Sequence, residues 1–343
     1  MKKNIILLLL FLSSGIYTFG QKGVEIKAIG FYNLENLFDT EKDPDINDDE
    51  FTSQGANNWT DGKYKKKLGN MAYAIDKIGK KYCPEGVAIL GVSEIENKRV
   101  LEDLVNTDPI RHVNFQIIHY DSPDRRGIDV ALLYNPKLFQ VTSSKIYPFI
   151  WPADTTFKSR DQLLVSGTLL GEQIHIIVNH WPSRFGGNKS SEYREHAAAI
   201  VKHIGDSLYA ENPKSKIIIM GDLNDDPTDI SVKDVLSARK KQNEVEKHGY
   251  FNTMWNFYEK GIGSIGYQGK WSLFDQIIIS EPLLGRDRSE LKFWKAEVFN
   301  RDFLIQKEGK NKGYPHRTFS QSTFINGYSD HLPTLIYLVK ESK

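Results

Sequence analysis

Carboxylates, amides and imidazoles recur in this chain in short groups far apart in sequence: Asn33 with Glu35, Glu94, His180, Asp222 with Asn224, and Asp330 with His331. Glu94, Asp222, Asp330 and the Asn33 amide offer oxygen donors and no thiolate, a set suited to magnesium or manganese, with calcium a further option. Magnesium keeps several waters and is held by one or two carboxylates together with substrate phosphate oxygens, so the metal points to a phosphate substrate. His180 and His331 can carry protons near neutral pH, and the guanidinium groups of Arg126 and Arg184 match phosphate oxygens. Phosphoester hydrolysis needs this set: a Lewis acid, a positioned water and an acid for the leaving oxygen.

Such residues converge only if rigid elements carry them. Apolar and β-branched runs predict strands over 24–32, 87–92, 115–120, 128–134, 162–169, 173–179, 216–220, 273–280 and 332–339. Asn33, Glu35, Glu94, His180, Asp222, Asn224, Asp330 and His331 each fall at or beside the end of one of these runs. Strand ends held by a core can bring distant side chains together. Asp and Asn are also ordinary turn formers, so the joint chemistry carries the argument and no single position does. Residues 162–179 read as a hairpin turning at Leu170-Gly171-Glu172. Helices are expected over 63–82, from the stripe Leu68, Met71, Ile75 and Ile78, and over 191–211. Residues 39–62, 255–271 and 283–328 read as irregular. The Lys65–Lys67 and Arg239–Lys241 runs read as exposed helix faces. Gly261, Gly263, Gly266 and Gly269 lack the ending of a phosphate-binding P-loop; they describe a loop bordering a cleft, in which Tyr267 or Trp271 can stack on a base.

Composition narrows the class. A chain of 343 residues with 40% hydrophobic content and 45 Lys+Arg against 44 Asp+Glu is neither disordered, collagen-like nor wholly basic. No repeat or long linker interrupts residues 24–340, so 21–343 is expected to be one domain. Lys2 and Lys3 precede an apolar run from Ile5 to Leu12, the layout of a signal peptide over 1–20, too short to span a bilayer. Its removal takes two lysines away and leaves 43 basic against 44 acidic residues. The expected location is therefore periplasmic or extracellular, with no stable membrane insertion of the mature chain and no protein partner implied. Cys83 is the only cysteine, which excludes an intramolecular disulfide and a cysteine-based zinc site. Asp43–Glu50 starts like a calcium loop but has Asp48 where glycine is needed and Gln54 in place of the closing glutamate.

Seven motifs occur in order: Phe31-Tyr-Asn-Leu-Glu-Asn36, Ser93-Glu-Ile-Glu-Asn97, Arg125-Arg-Gly-Ile-Asp-Val-Ala131, Asn179-His-Trp-Pro-Ser-Arg184, Gly221-Asp-Leu-Asn-Asp-Asp-Pro227, Phe274-Asp-Gln-Ile277 and Ser329-Asp-His-Leu-Pro333. With these the chain resembles the endonuclease/exonuclease/phosphatase superfamily, in a secreted bacterial branch. The resemblance implies a two-sheet α/β sandwich of DNase I-like type, with helices flanking mixed and antiparallel sheets. It implies Glu94 as principal metal ligand with Asn33 and Asp330 nearby, and Asp222 and Asn224 orienting the attacking water or the phosphate. It places Asp275 behind His331 and Asp129 behind His180, with Arg126 and Arg184 on the substrate phosphate. Whether Asp222 or His331 activates water stays open. The expected function is a secreted, divalent-metal-dependent phosphodiesterase, foremost a nuclease. A phosphomonoesterase or a sphingomyelinase-like lipid phosphodiesterase is the alternative, and a non-catalytic binding protein the remote one.

Overall fold

The computed structural model describes residues 23–342, so the signal peptide expected over 1–20 lies outside the described residues. Two large sheets carry the fold. The first contains β1 (Val24–Leu37), β2 (Val87–Ile95), β3 (Gln116–His119), β4 (Asp129–Tyr134), β14 (Lys292–Val298) and β17 (Thr334–Glu341), in the order β14-β17-β1-β2-β4-β3. The second contains β5 (Phe139–Tyr147), β6 (Gln162–Leu169), β7 (Glu172–His180), β8 (Ile217–Asp222), β9 (Ala238–Arg239), β10 (Tyr250–Asn252) and β13 (Asp275–Ser280), in the order β5-β6-β7-β8-β13-β10-β9. Two small hairpins, β11 (Ile265–Tyr267) with β12 (Lys270–Ser272) and β15 (Phe319–Ser320) with β16 (Thr323–Phe324), lie outside the large sheets.

Each sheet is built around a parallel central pair, β1 with β2 and β7 with β8. A parallel pair needs a long crossover, and helices supply it: α1 (Asp61–Lys77) and α3 (Asn188–Glu211). Between them comes the short α2 (Lys98–Val105), whose N-cap Asn97 accepts from the Val100 N–H at 3.1 Å. The strands flanking each central pair, β17 and β4, β6 and β13, run antiparallel to it. The starts of β4, β13 and β17 therefore lie at the same edge as the ends of β1, β2, β7 and β8. That shared edge is where the polar motifs fall.

The sheets face each other across an apolar interior. A Cβ on Gly91 would come 2.6 Å from Met220 Sδ and 3.2 Å from Val178, both in the opposing sheet, while a Cβ on Gly30 would touch Ile78 just beyond α1 on the outer side. On the other flank, Ile177, Ile217, Ile219 and Ile278 pack with Ala197, Val201 and Ile204 of α3. The hairpin over 162–179 is present, with Leu170 at φ 50° and Gly171 at φ 76°, the doubly left-handed turn that suits a right-twisted two-strand ribbon.

Several sequence expectations are corrected. The stretches 255–271 and 283–328 are not wholly irregular: the first contains the helix Trp255–Glu259 and most of the β11–β12 hairpin, and the second contains β14, an edge strand whose alternation is blurred by Lys292, Lys295 and Trp294. Arg239 lies in β9 and not on a helix face. β5 is likewise an edge strand, half-exposed along much of its length. Lys67 is not on an exposed helix face: it is 1% exposed.

Candidate functional site

The backbone leaves regular geometry where the motifs begin. Glu35, Asn36, Glu94 and Asn224 all sit at positive φ, between 48° and 57°. Non-glycine residues take that conformation at a cost that tertiary contacts must hold, and such strain gathers at functional sites. Glu94 lies in an irregularity of the β2–β4 ladder between Ser93 and Ile95, which breaks the alternation and re-aims its side chain. Its Oε2 accepts the Asn36 N–H at 3.0 Å and lies 3.7 Å from Arg126, whose Nη2 donates to Asn36 Oδ1 at 2.5 Å.

Asp222 is the junction between the sheets. Its Oδ2 accepts from the Asn33 amide at 3.1 Å and lies 3.7 Å from Nε2 of both His180 and His331. Its Oδ1 accepts the Asn224 N–H at 3.0 Å, and the Asn224 amide reaches the Trp181 carbonyl at 2.9 Å, tying the loop after β8 to the loop after β7. His180 Nε2 is 3.8 Å from Glu94 Oε1, which joins the second sheet to the first. His331 Nδ1 contacts Asp275 Oδ2 at 2.6 Å, and its Nε2 is 3.9 Å from Asp330 Oδ1. Ser329 anchors this last segment by donating to the Asn33 carbonyl at 2.7 Å.

Arg317, Glu35 and Lys67 form a run of alternating charge beside Asp330. Arg317 Nη2 donates to Asp330, and its Nε lies 3.5 Å from Glu35. Glu35 Oε2 accepts the Thr318 N–H at 2.7 Å and faces Lys67 at 3.5 Å. The Lys67 ammonium also donates to Thr318 Oγ1 at 2.5 Å and to the Tyr328 carbonyl at 2.6 Å.

These contacts set the protonation states. Burial works against charging His331, but Asp275 and Asp222 outweigh it and hold its pKa well above the ordinary imidazole value. Burial, reinforced by Arg160, Arg126 and His331, pushes His180 well below that value, so it is neutral. Burial raises Asp222 to about 7, with Asp275 and Glu94 adding to it and His331 opposing. Burial and Asp330 raise Glu35 to about 7 against Lys67 and Arg317. Two imidazoles in one centre are thus driven to opposite charge states.

The residues fit a divalent cation. Five carboxylates (Glu35, Glu94, Asp222, Asp275 and Asp330) crowd one edge; burial is the main cause of the raised pKa of Asp222 and Glu35, and neighbouring carboxylates add to it. The donors Glu94, His180 and Asp222 offer atoms within 4.8 Å of one another, and oxygen predominates.

The structure brings together Asn33, Glu94, His180, Asp222, Asn224, Asp275, Asp330 and His331, and Arg126 lies beside them. Two expected partners are elsewhere. Asp129 does not stand behind His180. It accepts from Ser122 N–H at 2.8 Å and Oγ at 2.5 Å and meets His119 Nε2 at 2.9 Å, because β3 pairs with β4 and delivers His119 to it. His180 Nδ1 is buried without a hydrogen-bond partner. Arg184 is not free for phosphate: it caps the Asn224 carbonyl at 2.9 Å, pairs with Asp226 at 3.2 Å and Asp229 at 2.5 Å, and stacks over Phe274. Arg317 has no signal in the sequence, and Lys67 reads there as part of an exposed lysine run. Lys67 has a signal, since it lies three residues after Tyr64 and four before Met71 on the apolar stripe of α1.

A model of the Endonuclease/Exonuclease/phosphatase family matches residues 28–340. The chain belongs to that family. Family membership makes it a phosphoester hydrolase. Solved structures of the same fold include an endonuclease/exonuclease/phosphatase family protein from Bacteroides thetaiotaomicron, at 16% identity and TM-score 0.55, covering 93% of this chain and 97% of that one. D. rerio TDP2 complexed with single-strand DNA product aligns at 13% identity and TM-score 0.54, over 91% and 98%. The mannosyl-6-phosphatase of B. thetaiotaomicron aligns at 16% identity and TM-score 0.54, over 91% and 99%. At these identities the likeness is one of fold. No curated protein matches the chain in sequence.

Proposed function

We propose that this family member is an exported, divalent-metal-dependent phosphodiesterase acting on nucleic acid. The observation that carries the reading is the Asp222 carboxylate set 3.7 Å from two imidazoles of opposite charge state, with Glu94 3.8 Å from one of them. A magnesium or manganese ion held by Glu94, with Asn33 and Asp330, supplies Lewis acidity at a phosphate oxygen.

The chain's own groups do the rest. Asp222, with a pKa near neutrality, takes the proton from the attacking water, and the Asn224 N–H fixes its rotamer. His331 is the charged donor: Asp275 on Nδ1 leaves the Nε2 proton facing the centre, where it goes to the leaving oxygen as the P–O bond breaks. His180, neutral, stabilises developing charge by hydrogen bonding from Nε2 rather than by giving up a proton. Arg126, half-exposed beside Glu94, binds the incoming phosphate. The apolar run after Lys2 and Lys3 supports export.

Phosphomonoester hydrolysis on the same residues is the second reading, favoured by a walled cleft of about 400 Å³ beside Asp330, a size that suits a small substrate. A lipid substrate is disfavoured because Trp255 is buried and Phe257, Tyr258 and Trp271 pack against the core, leaving no broad apolar docking surface there. The deciding experiment measures turnover of bis-p-nitrophenyl phosphate, p-nitrophenyl phosphate, oligonucleotides and sphingomyelin, with manganese or with EDTA. Chelator-sensitive diester cleavage supports the proposal. Cleavage of the monoester alone refutes it.

A further inference from the structure

The cleft beside Asp330 has walls fastened to the reacting centre itself. One wall is the hairpin of β11 and β12, bridged to His331 through Ile265 and bonded from Leu332 N–H to the Ser264 carbonyl at 2.7 Å. The facing wall is the segment 305–315, closed on itself by the Ile305–Pro315 bridge and by bonds between Gln306, Gly313 and Tyr314. The walls interlock at Gly266. Any Cβ there would run into the Tyr314 ring, so glycine lets that ring lie on the hairpin, 5.4 Å from Trp271.

The lining pairs aromatic rings with few charges. Tyr267 stands 72% exposed at the mouth, with Gln268 donating to its hydroxyl at 3.1 Å, and Tyr314 lies deeper. Among the described residues, Lys310 and Arg317 are the only cations in the lining and Asp330 the only acid. A cavity of about 400 Å³ is near the low end for ligand sites and admits a single ring system with its sugar, not a base-paired duplex. With Arg317 paired to Asp330 and Glu35, Lys310 is left to match a single phosphate, not the long run of backbone contacts that a duplex groove needs.

We propose that this cleft seats one unpaired nucleoside next to the scissile phosphate, its base against Tyr267 and Tyr314, so that single-stranded nucleic acid is the preferred substrate. The inference rests on the phosphodiesterase reading and adds the form of the substrate. An unpaired base enters at little cost, and stacking on an aromatic side chain contributes roughly 1–3 kcal/mol per base, about a ten- to hundredfold effect on binding.

The test compares a short single-stranded oligonucleotide with the same sequence as a blunt duplex, in manganese, for the wild type, Tyr267→Ala and Tyr267→Phe. The wild type should favour the single strand by at least about tenfold in kcat/KM. Tyr267→Ala should raise KM for the single strand roughly ten- to hundredfold, and Tyr267→Phe should restore it. Equal kcat/KM on both substrates, or an unchanged KM in Tyr267→Ala, overturns the inference. If both oligonucleotides are inert while bis-p-nitrophenyl phosphate is cleaved, the inference falls and the diesterase chemistry stands. If no diester is turned over, both fall.

Discussion

Replacing Lys67 by Met tests whether the catalytic edge is held by a buried cation. The ammonium is inside the protein and contacts three segments: the end of β1 through Glu35, the 317–319 segment through Thr318 Oγ1, and the segment leading to Asp330 through the Tyr328 carbonyl. The two short charge-assisted bonds, at 2.5 and 2.6 Å, are worth about 1.5–3 kcal/mol each, or roughly 3–6 kcal/mol together. Burial disfavours the ammonium, as its lowered pKa reports, so the net loss should be about 3–5 kcal/mol. Met keeps the length and helix propensity of the side chain, so α1 itself is not the casualty. For a chain of this size that loss lowers Tm by roughly 4–8 °C in calorimetry or circular dichroism. With Asp330 two residues beyond Tyr328, kcat/KM below the variant's Tm should fall by at least about tenfold. Adding Glu35→Gln removes the stranded carboxylate, so the double variant should recover about 1–3 kcal/mol relative to additivity. A loss under about 1 kcal/mol with an additive cycle would refute the reasoning and return Lys67 to a solvated helix face.

Asp275→Asn removes the carboxylate that keeps His331 charged and oriented; turnover should drop roughly 10²–10⁴-fold with folding intact, and a drop under about fivefold contradicts the role. His175, away from the centre and bonded to Ser166 Oγ at 2.7 Å, has its pKa lowered by burial. The unfolded chain therefore takes up this proton first, near pH 6.5, and stability from this site, full above that pH, is lost as pH falls below it. In His175→Gln the decline in Tm between pH 7 and 5 should be shallower than in the wild type; parallel curves contradict the assignment.

The sequence reveals the reacting groups more fully than what supports them. Asn33, Glu94, His180, Asp222 and His331 are legible because each ends or precedes an apolar run, and a strand's end fixes where its last side chain goes. The hairpin over 162–179 is legible for a similar local reason. The roles of Lys67 and Arg317 are not, even though the place of Lys67 on the apolar stripe of α1 is, since those roles depend on partners such as Thr318 and Asp330 that only the tertiary fold supplies. Asp129 shows the same limit from the other side: the resemblance assigns it to His180, and the β3–β4 pairing, invisible in the residue pattern, gives it to His119. Arg184 reads as a phosphate ligand until the acidic loop Asp226–Asp229 folds over it. Edge strands β5 and β14 escape because their exposed faces carry polar residues that blur the period-two signal.

The central claim, that the Glu94 carboxylate on β2 holds the cation while His331 acts on the substrate, is tested most directly by calorimetric titration of Mn²⁺ into the wild type, Glu94→Gln and His331→Ala, with bis-p-nitrophenyl phosphate turnover measured on the same samples. The account predicts that Glu94→Gln loses at least about tenfold in ion affinity and its turnover with it, whereas His331→Ala still binds the ion and loses turnover alone. Ion binding and hydrolysis at wild-type levels in Glu94→Gln would contradict it.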